Sequence, residues 1–112
     1  MARKPSRAVY VSQELNELLK TLDPQHKIRR WIEDMKIALK NNMFEGEKIR
    51  KRQIPRYYVE RYGVNNLFHY GHPDGYRSCY TLHNFAGLGV CPVILDIRPH
   101  SEYERIFGYR GR

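Results

Sequence analysis

Two apolar stripes at helical spacing, one directly after the other near the start of this 112-residue chain, constrain its fold most. Leu15, Leu18, Leu19 and Leu22 recur at i, i+3, i+4 and i+7, and Ser12 stands where a helix cap is needed. Asp23-Pro24 reads as a second cap with proline at the first helical position. Ile28, Trp31, Ile32, Met35 and Leu39 then hold the same spacing as far as Asn41-Asn42. The pair predicts a helical hairpin with an apolar face turned to a core.

Strands flank this hairpin. Ala8 to Val11 is a short one in front of it, while residues 1–7, polar and charged around Pro5, read as a disordered basic arm outside the fold. Glu45 to Arg52 is charged, contains Gly46 and predicts an exposed loop. Pro55 opens a helical turn through Tyr62, with Gly63 as its left-handed cap. Leu67 to Tyr70 predicts a strand, His72-Pro73-Asp74-Gly75 a turn, and Tyr76 to Leu82 a second strand. After a looser connection from Asn84 to Gly89, Val90 to Ile97 reads as a central strand with Pro92 near its start, and His100 to Phe107 as a short final helix. The expected fold is α+β: one domain over residues 8–112, with helices on one face of a mainly antiparallel, four-stranded sheet.

Charge points to the partner. Lysine and arginine number 20 against 12 acids, a formal charge of +8, which favours polyanions through phosphate contacts and counterion release. All seven lysines lie in residues 1–56. Lys48, Arg50, Lys51, Arg52 and Arg56 crowd into nine residues and are followed by Tyr57 and Tyr58, cations interleaved with aromatics as in a phosphate track with base stacking. A merely solvated basic surface is the alternative. No apolar stretch is long enough for a signal-peptide core or a bilayer span, so a cytoplasmic protein without membrane contact is expected. Cys79 and Cys91 fall on successive strands, could face each other and are expected as buried thiols. No spacing matches a metal-ligand pair or a cofactor motif, so neither is expected.

Three stretches carry a family resemblance. Gly75-Tyr76-Arg77-Ser78-Cys79-Tyr80-Thr81-Leu82 after its turn resembles the strand of the RelE/ParE toxin superfamily in which an aromatic-arginine pair precedes a tyrosine. Val64-Asn65-Asn66-Leu67-Phe68-His69-Tyr70 is similar to the preceding family strand, and His100-Ser101-Glu102-Tyr103, running on to Phe107-Gly108-Tyr109, to the C-terminal segment. The resemblance covers nearly the whole chain and implies a RelE-like fold. It also implies a toxin that binds the ribosomal A site against 16S-type rRNA, cleaves mRNA without metal by attack of the ribose 2′-hydroxyl, and is neutralised by an acidic antitoxin.

That chemistry needs a base for the 2′-hydroxyl proton, cations for the pentavalent phosphorane and an acid for the departing 5′-oxygen. Arg77 matches the family arginine and is the candidate phosphate clamp, with a structural pair to Asp96 or Glu102 as its alternative. Tyr103 matches the family tyrosine, a base-stacking or proton-transfer residue, unless it only closes the core. His100 and His69 are the candidate acid and base, and Arg98 a second phosphate contact; surface or strand-end residues are the alternatives. The resemblance also implies that the run from Lys48 to Tyr57 faces ribosomal RNA. The chain departs from the family in one respect: RelE nucleases carry lysines on the strand before the hairpin, and Phe68-His69-Tyr70-Gly71-His72 has none. A non-cleaving ribosome binder that occludes the decoding region, and a ParE-like gyrase inhibitor, therefore remain as alternatives.

Overall fold

Ser12 ends the first strand and starts the first helix: its hydroxyl accepts the Leu15 N–H at 3.0 Å and donates to the Leu95 carbonyl at 2.7 Å. In the computed structural model, which describes residues 3–108, strand β1 (Tyr10–Val11) leads through that cap into α1 (Gln13–Lys20) and then α2 (Lys27–Asn41). Pro24 does not begin α2. The cap is His26, whose Nδ1 accepts the Ile28 N–H at 3.1 Å, and residues 23–25 form a turn instead. There follow β2 (Glu47–Lys48), α3 (Arg56–Tyr62, closed by Gly63 at φ 67°), β3 (Phe68–Gly71), β4 (Arg77–Phe85), β5 (Gly89–Ile94) and α4 (His100–Phe107).

The fold is α+β with a mixed, five-stranded sheet in the order β1-β5-β4-β3-β2. β1 runs parallel to β5 and the remaining pairs are antiparallel. The fifth strand is β2, two residues inside the stretch expected as loop, pairing Glu47 with His69 and Lys48 with Phe68. The expected arm is also partly tied down, because Ser6 N–H donates to Lys40 O, Met43 N–H to Lys4 O and Arg3 Nε to Asn41 O.

Helices cover both faces rather than one. Alternation along β4 sends Tyr80 to a core with Leu15, Ile32, Met35, Leu39, Phe68, Ile94 and Ile97, under α1 and α2. Cys79 goes the other way, to a second core with Ile49, Tyr58, Leu67, Leu95 and Tyr103, under α3 and α4. Cys79 and Cys91 are both buried free thiols and do not pair, since Cys91 lies opposite His83 and Cys79 opposite His69. No helix among the described residues is long and apolar enough to cross a membrane.

Pro92 sits within β5, opposite Leu82. Leu82 turns both its backbone groups to the Asn66 amide, so the Pro92 nitrogen faces away from β4, on the side that β1 begins to cover only at Val93. A proline there removes a donor from an open edge.

Where β4 joins α2, His72 Nε2 lies 2.8 Å from the buried Ser78 hydroxyl, and the ring packs against Tyr70 and stacks on Trp31. Burial pulls the His72 pKa down to about 4, opposed weakly by Asp34. The unfolded chain takes up this proton first as pH falls, so the stability is complete above about pH 6.5 and drains away toward pH 4. We expect this one residue to remove about 2 kcal/mol over that window, allowing for partial solvent screening. Urea unfolding at pH 7 and pH 4.5 should show a smaller acid loss in His72→Phe than in the native chain. Equal losses would reassign the acid sensitivity.

Candidate active site

The feature that places the last helix is a one-residue bulge after β5. Leu95 N–H donates to Cys79 O, but Arg77 pairs with Arg98, so two residues of advance on β4 meet three on the partner. The Cys79 N–H is satisfied by the Asp96 side chain at 3.1 Å. The other Asp96 oxygen accepts from Tyr58 Oη at 2.7 Å and Arg98 Nε at 3.0 Å. Burial raises the Tyr58 pKa, with Cys79 and Asp96 acting the same way, so the phenol remains a donor. From the bulge, the chain enters α4 with Tyr103 directed into the second core at 3% exposure.

Arg98 is consumed by this framework. Besides Asp96 it binds Glu102 Oε1 at 3.2 Å and donates to Tyr57 Oη at 2.6 Å, with its guanidinium 5.3 Å from the Tyr57 ring. The carboxylates expected as possible partners of Arg77 are therefore those of Arg98, and Arg98 holds α3 and α4 together instead of presenting a second cation. Tyr57 is likewise occupied: besides the Arg98 bond to its hydroxyl, the Arg61 guanidinium lies 5.6 Å from its ring, and Arg61 is itself paired with Glu14.

Arg77 is different. Among the described residues no carboxylate lies within 4.0 Å of it, and its guanidinium rests 5.3 Å from the centre of the Tyr103 ring. Tyr103 thus closes the core and also forms a floor under Arg77. The opposite residue on β3 is Gly71, where a Cβ would meet nothing within 4 Å, so the approach to Arg77 is open.

Beside it, His69 Nε2 lies 2.9 Å from Glu47 Oε1, and its ring is 5.9 Å from that of Tyr103. Burial lowers the His69 pKa; Glu47 pulls it up and Arg77 pushes it further down, with a net fall. A neutral imidazole facing a carboxylate carries its proton on Nε2, which leaves Nδ1, buried and without a hydrogen-bond partner among the described residues, as a bare lone pair. The Glu47 side chain is 81% exposed, so its second oxygen faces solvent.

Gly46 makes this pairing possible. A Cβ there would come within 2.5 Å of His69 O and 2.8 Å of the Tyr80 ring, and its N–H donates to Tyr80 Oη at 2.9 Å, so β2 lies close against β3. Glu45, Gly46, Glu47, His69, Tyr70, Gly71 and Arg77 line a cleft of about 340 Å³. Of the residues lining this cleft the sequence pointed only to His69 and Arg77, and Glu47 is the ionisable neighbour of His69 that it missed. The sole signal for it was the small residue next to it, in a run whose charge argued for loop.

His100 stands in the first turn of α4, its Cβ 3.5 Å from where a Gly75 side chain would begin, and its Nε2 is 3.0 Å from Glu104. Of the basic run, Lys48, Arg50, Lys51 and Arg52 are exposed, and none has an ion-pair partner among the described residues. Arg56 pairs with Glu60 at 3.2 Å. The structure thus brings Arg77, Tyr103, His69 and Glu47 together, sets His100 at the neighbouring turn, leaves Lys48, Arg50, Lys51 and Arg52 exposed outside the cleft, and takes Arg98 and Tyr57 into the scaffold. No family model, curated protein or solved structure matches the chain.

Proposed function

We propose that this protein is a RelE-like toxin of the cytoplasm that binds the ribosomal A site and cleaves mRNA there by attack of a ribose 2′-hydroxyl. The observation that carries the reading is the uncompensated Arg77 guanidinium on the Tyr103 ring, beside the Glu47–His69 pair in an open cleft. A guanidinium without a carboxylate partner is poised for an anion, and its planar fork can span two phosphate oxygens.

Glu47 accepts the 2′-hydroxyl proton with the oxygen that faces solvent, while His69 Nε2–H holds the other. Arg77 meets the charge that grows on the phosphorane. His100 is the candidate donor to the leaving 5′-oxygen. The strip from Lys48 to Arg52 binds rRNA, and an acidic antitoxin that covers it or the sheet would silence the protein. The lysine-free β3 supports a second reading, in which the protein occupies the decoding region without cutting.

Toeprinting of translating ribosomes separates these readings: new A-site ends mean cleavage, and arrest without them means occupancy. Ribosome binding should fall on the order of 100-fold between 50 and 200 mM salt if the four exposed cations each meet a phosphate. Changing Lys48, Arg50, Lys51 and Arg52 to glutamate takes the formal charge from +8 to zero and should abolish co-sedimentation with the fold intact. Unchanged binding would remove the strip from the account.

A further inference from the structure

We infer that the site is self-sufficient, so that the chain also cleaves single-stranded RNA free in solution, without a ribosome. The inference rests on the cleavage reading above and goes beyond it in substrate class and in what the reaction requires.

Three observations carry it. First, the base is supplied by the chain itself. Glu47 is fixed at one oxygen by His69 Nε2 at 2.9 Å and open to solvent at the other, so no partner need provide a proton acceptor. Second, the phosphate position is prepared in the isolated chain. Arg77 sits on Tyr103 with no carboxylate neighbour among the described residues, and the paired residue on β3, Gly71, leaves the approach clear. The floor beneath the cation is a side chain only 3% exposed, so its position is set by the packed core of the chain itself. Third, exposed cations follow the base along the chain. Lys48, Arg50, Lys51 and Arg52 come after Glu47, with Lys48 on the opposite sheet face beside Phe44 and Phe68, so they can hold the RNA backbone outside the cleft. The cleft itself, about 340 Å³, is within the range of small-ligand sites.

The substrate must be single-stranded, because in-line attack by a 2′-oxygen needs a splayed backbone that an A-form duplex does not offer. In the step, the 2′-oxygen forms a bond to phosphorus as the bond from phosphorus to the 5′-oxygen breaks. The 2′-hydroxyl proton passes to Glu47, and the 5′-oxygen leaves with a proton from His100. Solvent then carries a proton from Glu47 back to His100, so the reaction is balanced and consumes no co-reactant. The products end in a 2′,3′-cyclic phosphate and a 5′-hydroxyl.

The test uses the purified full chain with a synthetic single-stranded oligoribonucleotide, its duplex form, and an oligonucleotide carrying one 2′-deoxy residue at the mapped cleavage position, alongside mRNA-programmed ribosomes. We expect cutting of the single strand with 2′,3′-cyclic phosphate ends, none at the deoxy position, and little in the duplex. Glu47→Gln, an exposed isosteric change that should fold normally, should slow cleavage of the free strand by about 100-fold or more. Cleavage on ribosomes without any cleavage of the free strand would overturn this inference and leave the ribosomal reading standing. No cleavage of either substrate would overturn both. An unchanged rate in Glu47→Gln would assign the activity to other groups or to another nuclease and overturn the self-sufficient site.

Discussion

Arg77→Ala should lower the cleavage rate on the order of 100-fold to 1000-fold while the protein still binds ribosomes. The phosphorane carries one more negative charge than the phosphodiester, and Arg77 is the cleft residue whose cation is not already neutralised by a carboxylate among the described residues. Losing one preorganised charged donor in a site of this kind has that typical cost. The fold should be little affected, since the substitution removes no ion pair and only a contact with the Tyr103 ring, worth about 1 kcal/mol. Arg77→Lys should recover part of the rate, because the charge returns without the fork that spans two oxygens. Single-turnover cleavage of programmed ribosomes measures the effect, and full activity in Arg77→Ala would remove the clamp from the mechanism.

Asp96→Ala has the largest effect expected on stability. One carboxylate, 8% exposed, satisfies the Cys79 N–H left over by the bulge, the Tyr58 hydroxyl and the Arg98 guanidinium. Removing it strands two buried donors and leaves the half-buried Arg98 with one carboxylate, Glu102, in place of two. Breaking one partner out of a buried charge pair costs about 3–5 kcal/mol, or roughly 10–20 °C in Tm for a domain of this size. Asp96→Asn retains an acceptor and should cost less. Because Arg98 and Arg77 exchange backbone hydrogen bonds at 2.8 Å, the alanine variant should also lose cleavage, through displacement of Arg77 and not through chemistry. Thermal melts followed by circular dichroism measure the first effect. A loss below about 1 kcal/mol would mean that the bulge is held by something else.

The roles of Arg77 and Arg98 illustrate what the sequence could and could not convey. Both were legible as strand arginines near the site, but which would be neutralised depended on which met Asp96, and the bulge decides that by advancing one strand a residue further than the other. No periodicity records a side chain that replaces a backbone acceptor. The helical hairpin and the three antiparallel strands were readable because each holds its pattern long enough to be seen, as was Gly63, whose φ of 67° needs a residue without a Cβ. Two-residue β2 has no pattern to display, and its charges argued for loop, so Glu47 was hidden with it. Coverage of both sheet faces was missed because the buried polar residues Ser78 and Thr81 blur the apolar pattern of β4, in which Tyr80 enters one core and Cys79 the other. Pro24 outweighed His26 as a helix start on propensity, yet the imidazole makes the capping bond.

The identity of the ends left on mRNA tests the central claim most directly. Programmed ribosomes incubated with the native chain should yield A-site fragments with 2′,3′-cyclic phosphate and 5′-hydroxyl ends, and a single 2′-deoxy substitution at the cleaved nucleotide should abolish them. Fragments with 3′-hydroxyl and 5′-phosphate ends, or cutting that persists at the deoxy position, would contradict attack by the ribose hydroxyl and with it the roles of Glu47, His69 and Arg77.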